Sequence, residues 1–469
     1  MHSLNGPGRI LIIGSGPTGL GAAYRLQEKG HRDFAVLEAR EEPGGLASSY
    51  QDSQGFTWDV GGHVQFSHYK YYDDVLDRAL GDAWLHHERE SWIWIRERFV
   101  PYPLQNNLHR LDPDDRDQAL AGIVSALKTN TRPANFREWI ESTFGQGLAQ
   151  LFLFPYNLKV WGYPLETLAV QWVGERVAVP DLNRLRENIR QGRDDVSWGP
   201  NNTFRFPLKG GTGAIWQAVY RFLDSTRFRF GSKVDKINLE EKMLSTADGR
   251  QHRYDSLVTS MPLDKLCAAC CGLRTSTLEA SQQMVHSSCH ILGIGLRGPR
   301  PDSIGRKCWM YFPEANSPYY RVTVFSNYSP NNVPPGDDYW SLMAEVCETP
   351  GRPVDVDSLR GKTLEALQQD GLIASDTEVV SFWQHREEYG YPTPFLGRDE
   401  VLSQVNPELE SNQVYSRGRF GAWLYEVSNQ DHSFMQGVEI ADRILEGCEE
   451  VTIRDPNLVN SGVFLQKGE

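Results

Sequence analysis

The sequence predicts an α/β fold made of three parts: a nucleotide-binding domain, an inserted helical domain and an antiparallel sheet domain. Three observations support this prediction. A glycine-rich motif lies between an apolar strand and a helix near the start of the chain, helical periodicity dominates residues 110–200, and alternating, aromatic-rich segments fill residues 289–347. The chain has 469 residues, which exceeds the size at which a single core stops growing, so two or three domains are expected.

The nucleotide-binding domain is predicted from residues 10–45. An apolar strand, 10–13, precedes the motif Gly14-x-Gly16-x-x-Gly19 and a helical stretch, and a second strand, 34–37, ends directly before Glu38. This order is the βαβ fingerprint of Rossmann-like dinucleotide-binding domains. The glycines let the backbone approach a pyrophosphate at the helix N-terminus, and an acid in the position of Glu38 accepts hydrogen bonds from a ribose.

A second glycine pair, Gly44-Gly45, follows the second strand. In two-dinucleotide-binding flavoproteins such a pair lies close to the isoalloxazine ring, so the expected cofactor is FAD rather than NAD. Glycine-rich and strand-like segments return at 205–265, and a helix at 437–445 could close the same domain. We therefore expect an FAD-binding domain from 1–70, 204–270 and 400–469, a helical domain from 108–203, and a sheet and substrate domain from 71–107 and 271–399.

Composition limits the classes of partner. Hydrophobic residues make up 40% of the chain and charged residues 23%, as in ordinary globular proteins. The net charge of −13 argues against binding to nucleic acid or to an anionic membrane, so an anionic substrate requires a local cationic pocket. No apolar run approaches a membrane span, the first nine residues lack the apolar core of a signal peptide, and a cytoplasmic location is expected. The seven cysteines indicate neither a disulfide framework nor a metal site.

Long motifs occur along nearly the whole chain. They occupy residues 59–70, 100–107, 155–161, 174–178, 198–207, 308–313, 320–330, 390–394 and 417–433. In this order they resemble the motifs of UDP-galactopyranose mutases, most of all those of the eukaryotic branch. The family is similar in fold to the amine-oxidase-like flavoproteins, so the resemblance implies the same α/β architecture.

The resemblance implies a flavin-dependent isomerase with no net redox change. In the family, N5 of reduced FAD attacks the anomeric carbon of UDP-galactopyranose and displaces UDP, and UDP-galactofuranose forms when the sugar closes to a five-membered ring. NADPH or NADH is the implied reductant. Because the cofactor acts as the nucleophile, a catalytic Ser-His-Asp set or a pair of carboxylates is not required.

Site residues follow from the matched motifs. The implied catalytic residues are Gly62, His63, Arg176 and Arg321, with the two arginines on the diphosphate, where charge grows as the glycosidic bond breaks. The implied cofactor-binding residues are Gly14, Gly16, Thr18, Gly19, Glu38, Gly45, Leu46, Gly61, Val234, Arg419, Asn429 and Gln430. The implied substrate-binding residues are Phe66, Tyr102, Gln105, Phe152, Asn157, Trp161, Arg176, Asn201, Trp309, Tyr311, Arg321, Tyr391 and Tyr425.

Two positions depart from the family pattern. Leu104 replaces a phenylalanine near the nucleobase, and Gln65 replaces an aliphatic residue in the histidine loop, so another nucleotide sugar such as a GDP-hexose stays an alternative substrate. An amine-oxidase-like oxidoreductase and a non-catalytic sugar-nucleotide sensor are further alternatives. Arg176 with Arg321 argues against the first, and the Gly62-His63 loop argues against the second. A nucleotide sugar is the expected partner, and the oligomeric state stays open.

Overall fold

The computed structural model describes residues 8–128, 132–196, 202–336 and 338–465. Its strands are β1 Ile10–Ile13, β2 Phe34–Leu37, β3 Ser49–Gln51, β4 Thr57–Asp59, β5 Trp84–Glu88, β6 Ser91–Ile95, β7 Arg98–Pro101, β8 Thr203–Pro207, β9 Phe228–Arg229, β10 Val234–Asn238, β11 Met243–Thr246, β12 Gln251–Arg253, β13 Ser256–Thr259, β14 Cys270–Cys271, β15 His286–Arg297, β16 Trp309–Tyr311, β17 Arg321–Thr323, β18 Tyr339–Glu348, β19 Glu378–Pro392 and β20 Val414–Ser416. Its helices are α1 Pro17–Glu28, α2 Lys70–Leu80, α3 Pro113–Ala126, α4 Phe136–Leu148, α5 Phe154–Trp161, α6 Leu182–Gln191, α7 Gly213–Tyr220, α8 Leu263–Ala269, α9 Thr275–Ser281, α10 Val356–Gln369, α11 Arg398–Ser411, α12 Gln430–Glu446, α13 Val451–Arg454 and α14 Pro456–Asn460. Within these ranges no helix is both long and apolar enough to cross a bilayer.

A five-stranded parallel sheet forms the nucleotide-binding layer, in the order β20-β13-β1-β2-β9. All four residues of β1 are buried, as expected for a strand covered on both faces. Helix α1 follows β1 and packs closely along α12. A Cβ atom added to Gly437 would lie 2.0 Å from the carbonyl oxygen of Thr18, so this contact requires glycine. The predicted α/β fold class is confirmed.

A seven-stranded sheet forms the second layer, in the order β19-β15-β18-β17-β16-β6-β7. Its pairings are antiparallel except for β16 with β6. In this register Tyr311 on β16 lies opposite Arg321 on β17, and Arg321 lies opposite Glu345 on β18. Directly opposed residues point to the same face of a sheet, so the register alone aligns these three side chains.

The helical segment covers one face of the seven-stranded sheet. Buried side chains of α3, α4 and the π-helical turn at 149–153, such as Ile123, Phe144 and Phe152, belong to the same apolar cluster as Ile291 and Met343 of the sheet. The helices and the sheet therefore share one core, and a site between them is lined from both sides.

Helix α2, at the start of the segment 71–107, belongs to a different domain from the one expected. We predicted that 71–107 belongs to the sheet domain, but α2 packs against α7 and α12 of the nucleotide-binding part. Tyr72, Val75 and Leu76 are buried in a cluster that includes Trp216 and Phe434. The physical reason is the apolar face of α2, which is buried against α7 and α12.

The close approach of α1 and α12 gives a stability test. We expect Gly437→Ala to lower the free energy of unfolding by about 1–3 kcal/mol, because the added methyl group overlaps the Thr18 carbonyl. Urea unfolding of the flavin-loaded protein measures this effect. Gly361→Ala in α10 is the matched control, since no atom lies within 4 Å of its added Cβ, and it should raise stability by about 0.5–1 kcal/mol. Equal effects of the two variants would disprove the packing argument.

Candidate active site

Two glycine turns face each other at the carboxyl end of β1. A Cβ atom on Gly45 would lie 3.2 Å from Gly16 Cα, and a Cβ atom on Gly19 would lie 1.8 Å from the Gly14 carbonyl oxygen. Helix α1 begins beside these turns with no side-chain cap and no acidic residue in its first turn. The N–H groups of that turn are therefore available to an anion, which suits a pyrophosphate.

Glu38 is held in a fixed orientation at the end of β2. Its Oε2 accepts hydrogen bonds from the backbone N and the Oγ of Ser15, at 2.6 and 2.9 Å. Its Oε1 accepts one from the backbone N of Arg40 at 2.8 Å. A buried carboxylate with spare lone pairs at this edge of the sheet fits the ribose-binding position of a dinucleotide.

The remaining predicted cofactor positions lie on several elements around this edge. Leu46 is in the short 3₁₀ turn 45–47, and Val234 begins β10 and is buried. Asn429 precedes α12 without making a side-chain cap, so the N-terminus of α12 presents further N–H groups. Gln430 accepts a hydrogen bond from Trp216 Nε1 at 2.8 Å, and Thr18 packs against Gly418. Two helix N-termini and two glycine turns thus fit a dinucleotide cofactor.

The histidine loop carries an unpartnered buried nitrogen. Gly61 has a φ of +104°, and its carbonyl accepts a hydrogen bond from the backbone N of His63 at 2.8 Å. His63 Nδ1 is buried and has no hydrogen-bond partner among the described residues. Burial, opposed by Glu345 and assisted by Arg419 and Arg321, lowers the pKa of His63 to about 4. The imidazole is therefore neutral at neutral pH, and its orphaned nitrogen is typical of a ligand-facing group.

Glu345 connects the histidine loop to Arg321. Its carboxylate accepts hydrogen bonds from Arg321 Nε and Nη2, at 2.8 and 2.7 Å, and from the backbone N of Gly62 at 3.0 Å. Tyr320 Oη donates a further one at 2.7 Å. Burial would raise the pKa of this carboxyl, but the charge and hydrogen bonds of Arg321 hold it below its ordinary value.

Sequence reasoning missed Glu345. The one available signal is that it is the only charged residue inside the apolar part of strand β18, between Trp340 and Cys347. A single acid in a buried strand requires a counter-charge. Which cation supplies it depends on the register of β17 and β18, and local sequence does not specify that register.

Three arginines converge on the loop and on the aromatic side chains beside it. Arg321 keeps 22% of its side chain exposed despite the ion pair with Glu345. Arg176 lies with its guanidinium carbon 5.4 Å from the ring centre of Tyr425, and no carboxylate of the described chain lies within ion-pair distance of it. Arg419 lies 5.0 Å from the ring centre of Tyr391. Arg176 therefore offers an uncompensated positive charge, which suits an anionic substrate.

Aromatic rings line the space beside these arginines. The rings of Trp161 and Tyr425 lie edge to face with centres 5.0 Å apart, and Tyr391 lies 5.9 Å from Trp161 and 6.0 Å from Tyr425. The hydroxyl of Tyr391 is 3.5 Å from that of Tyr320. The structure thus places Tyr391 and Tyr425, two of the predicted substrate-binding residues, beside Arg419 and Arg176.

A second aromatic group surrounds Tyr311, which lies opposite Arg321 in the sheet. Tyr102 packs on Tyr311 with ring centres 5.2 Å apart, and Trp309 Nε1 donates to the Tyr311 hydroxyl. Tyr156 lies between Tyr311 and Phe152, 5.3 Å from each ring centre. Our site prediction did not include Tyr156, although it lies inside the motif 155–161. Tyr156 therefore connects Tyr311 with Phe152, and both of these are predicted substrate-binding residues.

The predicted nucleobase residues are not equally accessible. Gln105 and Phe152 are buried, and Gln105 Nε2 donates to the carbonyl of Ala178. Asn157 and Tyr102 keep exposed surface; Asn157 Nδ2 donates to the Leu153 carbonyl at 2.8 Å. Phe66 is partly exposed and contacts His68. Asn201 lies outside the described residues.

Both departures from the family pattern are buried. Leu104 is 0% exposed inside the core shared by helices and sheet, and Gln65 is 2% exposed. The hydroxyl of Tyr72 donates to Gln65 Oε1 at 2.6 Å, so Gln65 faces α2. Neither side chain forms part of an exposed pocket surface.

A buried polar cluster ties the histidine loop to α12. His68 Nδ1 lies 2.8 Å from Asp431 Oδ2, and the rings of His68 and His432 stack 4.7 Å apart. Tyr69 Oη lies 2.8 Å from His432 Nδ1. These groups include residue types that also ligate metals, with ligand atoms within 4.8 Å of one another. His68 binds one oxygen of the Asp431 carboxylate, whereas Oδ1 is buried without a hydrogen-bond partner among the described residues.

Comparison with known proteins identifies the family. Residues 17–282, more than half of the chain, match the family described as flavin containing amine oxidoreductase. A crystal structure of reduced UDP-galactopyranose mutase is 46% identical and covers 97% of both chains, with a TM-score of 0.94. The chain belongs to the UDP-galactopyranose mutase family. It is accordingly an isomerase of the flavoprotein class, as predicted.

Other relatives share less with this member of the family. The 15-cis-phytoene desaturase of Glycine max is 29% identical over 177 residues, which is 37% of this chain and 29% of that protein. The L-amino acid oxidase of Cerastes cerastes is 41% identical over 54 residues, or 12% of this chain and 10% of that protein. The chain thus matches under a third of the length of these curated relatives. A putative protoporphyrinogen oxidase from Exiguobacterium sp. 255-15, with a TM-score of 0.71 at 18% identity, shares the fold.

Removal of the charge on Glu345 should destabilise the protein. Glu345→Gln keeps the size of the side chain but leaves Arg321 without its counter-charge in a buried site, so the free energy of unfolding should fall by about 3–5 kcal/mol. Urea unfolding of the flavin-loaded variant measures this loss. Glu388→Gln, whose carboxylate is exposed and 3.8 Å from Lys265, is the control and should change stability by less than about 0.5 kcal/mol. An E345Q protein as stable as E388Q would show that the ion pair contributes nothing.

The low pKa of His63 should make stability depend on pH. Between pH 4 and 6.5 the unfolded chain binds a proton on His63 and the folded chain does not, so the free energy of unfolding rises with pH across this window. His63→Gln should reduce that slope by up to about 1.4 kcal/mol per pH unit. Urea unfolding at several pH values tests this. An unchanged slope in H63Q would contradict the neutral state of the folded imidazole.

Proposed function

We propose that the chain catalyses the redox-neutral interconversion of UDP-galactopyranose and UDP-galactofuranose, with reduced FAD as cofactor. One observation carries this proposal: Glu345 binds both the backbone of Gly62 in the histidine loop and the guanidinium of Arg321. The flavin-facing loop and the cation for a diphosphate are thus parts of one hydrogen-bonded unit. An amine-oxidase-like reaction on an apolar or amine substrate has no use for the cations Arg176 and Arg321.

In this proposal the cofactor, the arginines and the tyrosines of the site have separate roles. Reduced flavin, when bound, supplies the nucleophile that displaces the nucleoside diphosphate from the anomeric carbon. Arg176 and Arg321 stabilise the negative charge that grows on the diphosphate as this bond breaks, and they hold it until the sugar closes in its new ring form. Tyr311, Tyr391 and Tyr425 provide hydroxyl donors along the same edge.

His63 and Gly62 respond to the state of the cofactor in this proposal. A neutral imidazole has one N–H donor and one bare acceptor nitrogen, so His63 can match either a donor or an acceptor on its ligand. Gly62 has no room for a side chain, since an added Cβ would lie 2.7 Å from Thr323 Oγ1. Glycine at position 62 therefore lets the loop backbone lie close to Thr323 and next to Arg321.

Uridine is the nucleobase that the site favours. Tyr102 and Asn157 present accessible groups of the types that the uridine pocket of the family contains, and Leu104 and Gln65 are too deeply buried to alter its surface. Gln105 Nε2 donates to the Ala178 carbonyl, so Gln105 can bind the base through this group only if the ligand replaces Ala178 as its hydrogen-bond acceptor. The same chemistry on a GDP-hexose remains the alternative that the binding test below addresses.

A reduction-dependent assay tests the reaction. Protein reduced with dithionite, NADPH or NADH is incubated with UDP-, GDP- and dTDP-hexoses, and furanose products are separated by chromatography. UDP-galactopyranose should be converted to UDP-galactofuranose over many turnovers per reductant, and oxidised protein should be inactive. Equal activity without reductant, or an oxidised sugar as product, would refute the proposal.

Arg176 allows a clean test of diphosphate stabilisation. Arg176→Ala should lower kcat by ~10²–10³-fold, because a charged donor to the developing anion is lost. No carboxylate of the described chain depends on Arg176, so the variant should fold and bind flavin normally, whereas Arg321→Ala would also leave Glu345 unpaired. Arg116→Ala on the outside of α3 is the control. Near-normal turnover of R176A would remove Arg176 from the site.

Nucleobase preference is tested by competition binding. UDP should bind the reduced protein more than about tenfold more tightly than GDP, which corresponds to ~1.4 kcal/mol. Displacement of a fluorescent UDP derivative by each nucleotide gives the ratio. Tighter binding of GDP would overturn the choice of uridine and leave the isomerase chemistry in place.

A further inference from the structure

A second groove lies on the opposite side of α5 from Asn157 and Trp161. It has a volume of ≈ 730 Å³, which is within the range of small-molecule sites. Its walls come from α5, from the loop 313–318 between β16 and β17, from the segment around Arg352 and from α10. The same loop connects the strands that carry Tyr311 and Arg321, so the groove adjoins two elements of the substrate site without being part of it.

A buried cation without an anionic partner lies in this groove. Lys159 is only 7% exposed, and its Nζ donates to the Glu314 carbonyl at 2.8 Å and to Ser317 Oγ at 3.2 Å. Among the described residues no carboxylate lies within 4.0 Å of this ammonium group. A charge buried with neutral acceptors alone is unfavourable, and an anionic ligand would compensate it.

Further uncompensated cations lie on the exposed part of the groove. Arg352 donates to the Leu158 carbonyl at 2.7 Å, and Lys362 projects from α10. Neither forms an ion pair within the part of the chain that the structure describes. The acids that line the groove are Glu314 and Glu365. An excess of positive charge here contrasts with the net charge of −13 of the whole chain.

We propose that this groove binds a small molecule that carries a phosphate group, with Lys159 at its base and Arg352 and Lys362 at its rim. The planar guanidinium of Arg352 suits bidentate binding of a phosphate, and the two ammonium groups supply charge from other directions. The volume exceeds that of inorganic phosphate, which leaves room for a phosphorylated metabolite. This site does not depend on the proposed function, since it shares no residue with the site of the arginine pair.

Phosphate binding in this groove should depend on pH. The charged groups whose electrostatic interactions act on Lys159 are Asp370, Arg352 and Glu314. Burial, assisted by Arg352 and opposed by the two acids, lowers the pKa of Lys159 to about 7. The ammonium form therefore predominates below pH 7, so sulfate, a phosphate-like anion whose charge does not change between pH 6 and 8, should bind more tightly at pH 6 than at pH 8.

Isothermal titration with inorganic phosphate and with a hexose phosphate tests the site. Flavin-loaded protein is saturated with UDP so that the arginine pair is occupied. One ligand per chain should bind, Lys159→Met and Arg352→Gln should each weaken binding at least tenfold, and Arg360→Gln, on α10 but outside the groove, should bind as the unchanged protein does. Tighter binding of the hexose phosphate assigns the natural ligand to phosphorylated metabolites, and equal binding assigns it to free phosphate.

The variants separate loss of the site from loss of the fold. Arg352 is exposed, so R352Q should unfold at the same temperature as the unchanged protein, and K159M replaces a buried charge with an apolar chain of similar length. Absence of phosphate binding in the presence of saturating UDP, or binding of normal strength in either K159M or R352Q, would overturn the proposal. Neither result bears on the isomerase reaction, because the measurement is of binding alone.

Discussion

The arrangement of the site depends on one buried carboxylate. Glu345 binds Arg321, Tyr320 and the backbone of Gly62, and the desolvation of its charge is offset by the guanidinium opposite it in the sheet. Removal of either partner leaves an isolated buried charge, which is far less favourable than the pair. The carboxylate therefore fixes the position of the Arg321 guanidinium relative to the histidine loop.

The sequence predicts the local parts of this structure well. Strand β1, the glycine turn, α1, β2 and Glu38 are consecutive in the chain, so their pattern alone specifies a nucleotide-binding unit. The motifs that contain Arg176, Tyr391 and Tyr425 identify the family before any coordinates are considered. The α/β class and the family are both confirmed.

The remaining features depend on contacts between distant segments. The pair Arg321–Glu345 requires the register of β17 with β18, and the packing of α2 requires a partner helix more than 130 residues later. The bond from Gln105 to Ala178 likewise joins segments 73 residues apart. No periodicity or spacing within a short window contains this information.

The nucleotide-binding sheet is assembled from segments that are far apart in the chain, and this order has a consequence during synthesis. Strand β1 lies between β2 and β13, and β13 in turn requires β20 at 414–416 to complete the sheet. At ribosomal rates of about 5–20 residues per second, roughly 20–80 s pass between translation of the first strand and the last. Throughout this interval the nascent chain exposes an unpaired apolar strand edge, so we expect a requirement for chaperone protection that a contiguous Rossmann domain would not have.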